Sequence, residues 1–184
     1  VVLPKSKDDV ISVVETCAKY GVSVLPRGGG TSLAGSTVGE SVIMDFSRYM
    51  NELKEVNIAE KWVRTQPGII LDELNQKIAK HGFLFAPDPS TSNRANVGGA
   101  LGNNSCGAHS IMWGKTIDNT LELDVVLSDG KATRLGPLTG ENLEYKMRMS
   151  GLEGNIYNNL FNIGESHRNE ILEKYPKIQR RVSG

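Results

Sequence analysis

The chain has almost no cysteine, no net charge and no long apolar run, and each shortage removes a class of protein. Two cysteines in 184 residues, Cys17 and Cys106, cannot build a disulfide framework. Neither has a His/Cys spacing suited to a metal, so no metal site is assigned and reduced thiols in a cytoplasmic setting are expected. Twenty-one Lys and Arg cancel twenty-one Asp and Glu, which leaves no electrostatic footprint for nucleic acid or for an anionic membrane. The longest apolar stretches run only a few residues, too short to span a bilayer, and no signal peptide is visible. Peripheral attachment at the inner face of a membrane stays open. There are no internal repeats and no low-complexity tracts. What remains is a chain of 39% hydrophobic residues, long enough to bury a core in one domain or in two small lobes. It starts Val-Val-Leu-Pro and stops at Arg181-Val-Ser-Gly184, and it reads as a piece of something longer.

Glycine is concentrated where chemistry is expected. Leu25 to Gly35 reads Leu-Pro-Arg-Gly-Gly-Gly-Thr-Ser-Leu-Ala-Gly. Three adjacent residues without Cβ permit positive φ and close approach, so successive amides can converge on phosphate oxygens, with Thr31 and Ser32 adding hydroxyls. A Walker loop requires Gly-Lys-Ser/Thr, which is missing. A Rossmann turn requires a crossover helix before the next parallel strand, and only Ser36 to Glu40 separate Gly35 from the apolar run Ser41-Val-Ile-Met-Asp45. Asp45 therefore reads as a strand-end cap and not as a ribose-binding acid. The loop belongs to a different nucleotide fold.

The remaining pattern is α+β. Ser6-Lys-Asp-Asp9 predicts a capping box opening a helix with Val10, Val13, Val14 and Cys17 on one face and Gly21 as its stop. A strand over 22–25 ended by Pro26, a strand over 41–45 and another over 61–66 make a βαββ-type opening. A helix follows Pro67-Gly68, with Leu71, Leu74 and Ile78 facing inward and Gly82 past its end. Strict alternation from Leu121 to Leu127, turned by Asp129-Gly130 into 131–135, predicts an antiparallel hairpin. The segment after Pro137 is polar, with an exposed helix over about 155–175. Between the halves, 86–109 reads as one long loop of glycine, proline and small polar residues, a length that in a compact domain points to function. Asp88, Ser90, Thr91, Asn103, Asn104 and Ser105 offer donors and acceptors for a flat polar ring, and Gly98-Gly99 allow close backbone approach.

Taken in order, Pro26-Arg-Gly-Gly-Gly-Thr-Ser-Leu-Ala-Gly35, Pro87-Asp-Pro-Ser90, Asn96-Val-Gly-Gly-Ala-Leu-Gly-Asn-Asn-Ser-Cys-Gly107, Trp113-Gly-Lys-Thr-Ile-Asp-Asn119 and Asp129-Gly130 resemble the FAD-binding domain of the vanillyl-alcohol oxidase and p-cresol methylhydroxylase superfamily. The likeness is strongest to the glycolate oxidase, D-lactate dehydrogenase and D-2-hydroxyglutarate dehydrogenase branch, and it covers residues 1 to about 135. It implies a two-lobed domain, with lobe one over about 1–85, flavin loops and the start of lobe two over 86–136, and a polar, partly helical insertion over 137–184. FAD would lie with its pyrophosphate on Arg27, Gly28, Gly29, Gly30, Thr31, Ser32 and Gly35. Its flavin side would face Pro87, Asp88, Pro89, Ser90, Thr91, Val97, Gly98, Gly99, Gly102, Asn103, Asn104, Ser105 and Gly107. Thr31 stands where some relatives carry a flavin-linking His, so the flavin is expected to be noncovalent. The family's further FAD segment and its substrate domain, which holds the catalytic residues, have no match here. The tail 175–184 is similar to a segment of long members that carry an iron–sulfur region. The intact protein is thus expected to pass a hydride from a 2-hydroxy acid to FAD and electrons to a separate acceptor or an iron–sulfur module, with homo-oligomerisation left open. An alcohol or sugar oxidase, an ether-lipid synthase or a non-catalytic nucleotide-binding module would use the same loops. His109 is expected to make a structural hydrogen bond, with no acid partner visible. His81 is expected to complement a helix dipole, His167 to sit on a solvated helix face, Cys106 to be a packed thiol, and Trp113 to be a core or interface aromatic.

Overall fold

In the computed structural model, which describes residues 1–175, the chain forms two compact units, one over residues 1–120 and one beginning at Leu121. Helix α1 (Lys7–Tyr20) starts as its sequence dictates: Ser6 Oγ accepts from the Asp9 amide while the Asp9 carboxylate accepts from the Ser6 amide. It stops at Gly21, whose φ of 65° is the left-handed conformation that glycine adopts without a Cβ clash. Strand β1 (Val24–Arg27) then pairs in parallel with β2 (Val42–Asp45), and Val2 bridges Met44 in parallel. The connection from β1 to β2 contains no helix, as the short spacing required.

Pro26 does not end β1 but lies within it, opposite Met44. The carbonyls of Ser23 and Arg27 accept from β2 and its continuation, so the alternate position 26 turns its missing N–H to the other edge, which pairs with no strand among the described residues and where proline is tolerated. The strand expected over 61–66 is β4 (Trp62–Thr65), and it pairs antiparallel with β3 (Leu53–Asn57), a strand without a clear sequence signal. Lys54 and Glu55 interrupt the apolar alternation there, and a register shift between Leu53 and Glu55 spoils the period further.

Ile69, just before helix α2 (Leu71–Ala79), and Leu71, Leu74 and Ile78 within it are buried at the centre of the core, packed with Ala95, Val97 and Ala100. The latter three come from the stretch read as a continuous loop. That expectation is corrected, because Val97–Gly102 forms helix α3 and Ser110–Trp113 a single turn, α4. Glycine at 98, 99 and 102 disfavours a helix by roughly 1 kcal/mol per residue, but insertion of Val97 and Ala100 into the core outweighs that preference.

In the second unit, β5 (Leu123–Val126) and β6 (Ala132–Leu135) form the expected hairpin, with Gly130 at φ 84° in its turn. Three helices follow: α5 (Gly140–Arg148), α6 (Leu152–Ser166) and α7 (Arg168–Lys174). Helix α5 forms within the polar segment after Pro137. The single helix expected over about 155–175 starts earlier and breaks at His167. Gly154 lets α6 begin against α5, since a Cβ there would lie 1.8 Å from the Met149 carbonyl oxygen. Glu153 anchors the unit, receiving Lys146 Nζ and the Thr133 hydroxyl at 2.5 and 2.8 Å. The Lys146 hydrogen bond outweighs the cost of burial and holds the Glu153 carboxyl below its ordinary pKa. The tail similar to iron–sulfur-bearing relatives falls mostly outside the described residues. Among the described residues no helix is long and apolar enough to cross a membrane.

Candidate functional site

The two glycine-rich segments meet within the first unit. A Cβ built on Gly29 would lie 2.1 Å from the Arg94 carbonyl oxygen, and one on Gly28 would lie 2.7 Å from Asn96 Oδ1. Neither distance leaves room for a side chain. Gly28 and Gly29 are therefore required by contact with 94–96, and their sides face protein and not an approaching ligand. Gly30, Gly35, Gly99 and Gly102 behave oppositely, because a Cβ on any of them meets nothing within 4 Å. Gly30 and Gly35 also hold φ of 67° and 78°. The glycines thus divide into a pair that seats the loop and a set that borders open space.

The loop is rich in free donors. Among the described residues, the amides of 28–34 donate to no backbone or side-chain acceptor, and the Ser32 hydroxyl reaches only that of Ser36, at 3.1 Å. Arg27 enters the loop tethered, its guanidinium 3.0 Å from Asp45 Oδ2. Burial pushes the Asp45 carboxyl up, but the Ser47 hydroxyl and amide and the Arg27 charge outweigh it and hold the pKa below the ordinary value. Asp45 closes the strand end, as its position suggested.

The second wall is tied together by close contacts. Pro87 is fully buried, and a Cβ on Gly107 would fall 2.1 Å from the Asp88 carbonyl oxygen. His109, expected to lack an acid partner, has one. Its Nδ1 lies 2.5 Å from Asp88 Oδ2, its amide donates to Asp88 Oδ1, and its ring stacks on Trp113 at 4.7 Å. Residues 88 and 109 stand far apart in sequence, so no local pattern could show the pair. Burial raises the Asp88 carboxyl, but the hydrogen bonds from His109 prevail and lower it. Trp113 is 43% exposed, not a core residue, while Cys106 is half-buried and Cys17 buried. Asn104 Oδ1 accepts from the Ile117 amide and the Ser105 carbonyl from Thr116, which pins that end of the wall. Gly98 backs onto Pro67, whose Cβ would lie 2.8 Å from its own. The side chain of Val97 is in the core, so only its backbone lines the segment, and Asn103 and Ser90 are exposed. His81 donates its amide to the Ile78 carbonyl at the end of α2, and His167 lies between α6 and α7, 3.6 Å from Glu170.

These features fit a dinucleotide with a pyrophosphate. Consecutive unpaired amides and two hydroxyls make an anion cradle with no carboxylate among residues 28–34, and the open glycines leave room for a ring at the second segment. Asn96, 2% exposed, also belongs to the site: its Oδ1, unpartnered among the described residues, is directed at the glycine loop. No local signal marks it.

Comparison with known proteins agrees. Residues 1–136 match the family model described as FAD binding domain. The D-2-hydroxyglutarate dehydrogenases of Escherichia coli strain K12 and Pantoea ananatis are 37% and 36% identical across the whole chain, which spans 18% of their length. The glycolate oxidase subunit GlcD of Escherichia coli strain K12 is 33% identical over 74% of the chain and 28% of its own length. Among solved structures, an alkyldihydroxyacetonephosphate synthase superposes with a TM-score of 0.66 at 29% identity, over 76% of this chain and 26% of that one. The 6-hydroxy-D-nicotine oxidase of Arthrobacter nicotinovorans, at 23% identity and a TM-score of 0.64 over 72% of this chain and 28% of that one, shares the fold. The anion cradle bordered by two glycine segments thus lies within the matched region, and the chain belongs to the FAD binding domain family.

Proposed function

We propose that the chain is the cofactor-holding portion of a flavin-dependent dehydrogenase acting on a D-2-hydroxy acid of the D-2-hydroxyglutarate class. The observation that carries this reading is the reach of the similarity. The family model ends at residue 136, and glycolate oxidase subunits match 74% of the chain, whereas D-2-hydroxyglutarate dehydrogenases match all of it, the helical unit included. When bound, FAD supplies two-electron acceptance as hydride from the substrate α-carbon. The chain's residues bind and orient it. Amides of the Gly28–Ser32 loop hold the pyrophosphate, with Arg27 and Gly35 at the ends of the loop. The backbone at Gly99 and Gly102 and the polar groups of Ser90, Thr91, Asn103, Asn104 and Ser105 face the flavin side, with Asp88, held by His109, and Pro87, Pro89 and Gly107 shaping the turn. The attachment is noncovalent, and electrons leave to a separate acceptor or an iron–sulfur module on the cytoplasmic side.

Anaerobic mixing of the intact protein with D-2-hydroxyglutarate, D-lactate and glycolate tests this. Bleaching of the flavin band is expected with at least one, fastest with D-2-hydroxyglutarate, and the L-enantiomers react far more slowly. If none bleaches it while a sugar or an aromatic alcohol does, the 2-hydroxy acid reading fails. The synthase neighbour, similar at 29% identity, supports a second use of the same cofactor domain, in which none of these acids reduces the flavin.

A further inference from the structure

Asn96 occupies the position before α3 where an Asn side chain ordinarily accepts an amide of the first helical turn. It makes no such capping bond. Its Nδ2 donates across the core to the Gly68 carbonyl, and its Oδ1, in a residue 2% exposed, is left without a donor among the described residues. A buried acceptor that gives up a local donor and finds no other is costly, so it needs a partner in the working state. Oδ1 lies 2.7 and 3.1 Å from where a Cβ on Gly28 and on Gly29 would stand. Those residues open the run of amides that donate to nothing.

We propose that Asn96 is a positioning residue for FAD. Its carboxamide, fixed through Gly68, seats the Gly28–Gly29 turn, and Oδ1 accepts one amide of that turn while the remaining loop amides are directed at the pyrophosphate. Asn96 thereby couples the phosphate loop to α3, the element that carries Gly99 and Gly102 along open space. The inference rests on the FAD reading above and extends it to a residue that touches the loop and not the cofactor.

The test uses the intact protein, stripped of flavin and titrated with FAD, with melting followed in both states. In Asn96→Ala the dissociation constant for FAD should rise by about three- to tenfold, the worth of one net hydrogen bond, and the loaded protein should lose more thermal stability than the stripped one. A merely structural role would lower both melting temperatures equally and leave the FAD affinity unchanged, which would overturn the proposal. If Asn96→Ala does not fold, Asn96→Ser, which keeps a short acceptor, answers the same question, with weakened FAD binding expected and wild-type binding overturning it. Gly28→Ala adds a second measurement, because its effect on FAD affinity should be smaller in an Asn96→Ala background than in the wild type. Strictly additive effects would show that the two residues do not act through their contact. Failure of the wild-type protein to bind FAD would refute the parent reading instead.

Discussion

Alanine at Gly29 and alanine at Gly99 should act on this protein in opposite ways before any flavin is added. At Gly29 the new Cβ would lie 2.1 Å from the Arg94 carbonyl oxygen, a backbone atom that cannot swing aside. Ordinary contact begins near 3.4 Å, so the loop must lift by about 1 Å from the 94–96 segment. Overpacking of this kind costs about 1–3 kcal/mol, which lowers the melting temperature of the stripped protein by several degrees. The lift also misdirects the amides. Losing even one hydrogen bond to a charged phosphate is worth about 1.5–3 kcal/mol, tenfold or more in affinity, so the variant should be purified largely without flavin. At Gly99 nothing lies within 4 Å of the new Cβ and the backbone is helical, so alanine should stabilise the stripped protein by about 0.5–1 kcal/mol. Its flavin affinity should nevertheless fall, because the methyl group enters the space assigned to the cofactor. Calorimetry of stripped protein and flavin titration of both variants provide the measurements. An unchanged melting temperature for Gly29→Ala would refute the seating argument, and wild-type FAD binding by Gly99→Ala would move the cofactor away from that face.

Two further outcomes follow from the site. Asp45 has a pKa held below the ordinary carboxylate value in the folded protein, so it contributes stability that is present above that ordinary value, near pH 4, and is lost as the pH falls through the folded value. Asp45→Asn should therefore flatten the acid limb of the melting temperature plotted against pH and lower stability by about 1 kcal/mol at neutral pH; an unaltered acid limb would remove Asp45 from the account. Denaturing the loaded protein with acid or heat should leave the yellow colour in the supernatant, and flavin fluorescence retained on the protein band of a denaturing gel would instead direct attention to Cys106 and His109.

What could be read from the sequence was local. The Ser6–Asp9 capping box and Gly21 close hydrogen bonds within four residues of themselves, so α1 was legible at both ends. The Asp129-Gly130 turn between alternating runs did the same for the β5–β6 hairpin, and the ordered glycine motifs were enough to point to FAD. The tertiary structure decided everything that depends on residues distant in the chain. It made a helix of Val97–Gly102 against its glycine content, because the core needed Val97 and Ala100. It brought Asp88 to His109 and set Arg94 and Asn96 under Gly28 and Gly29. It also turned two glycines of one triplet toward protein and the third toward open space, a difference invisible in Gly-Gly-Gly because a missing side chain carries no sign of what it would have met.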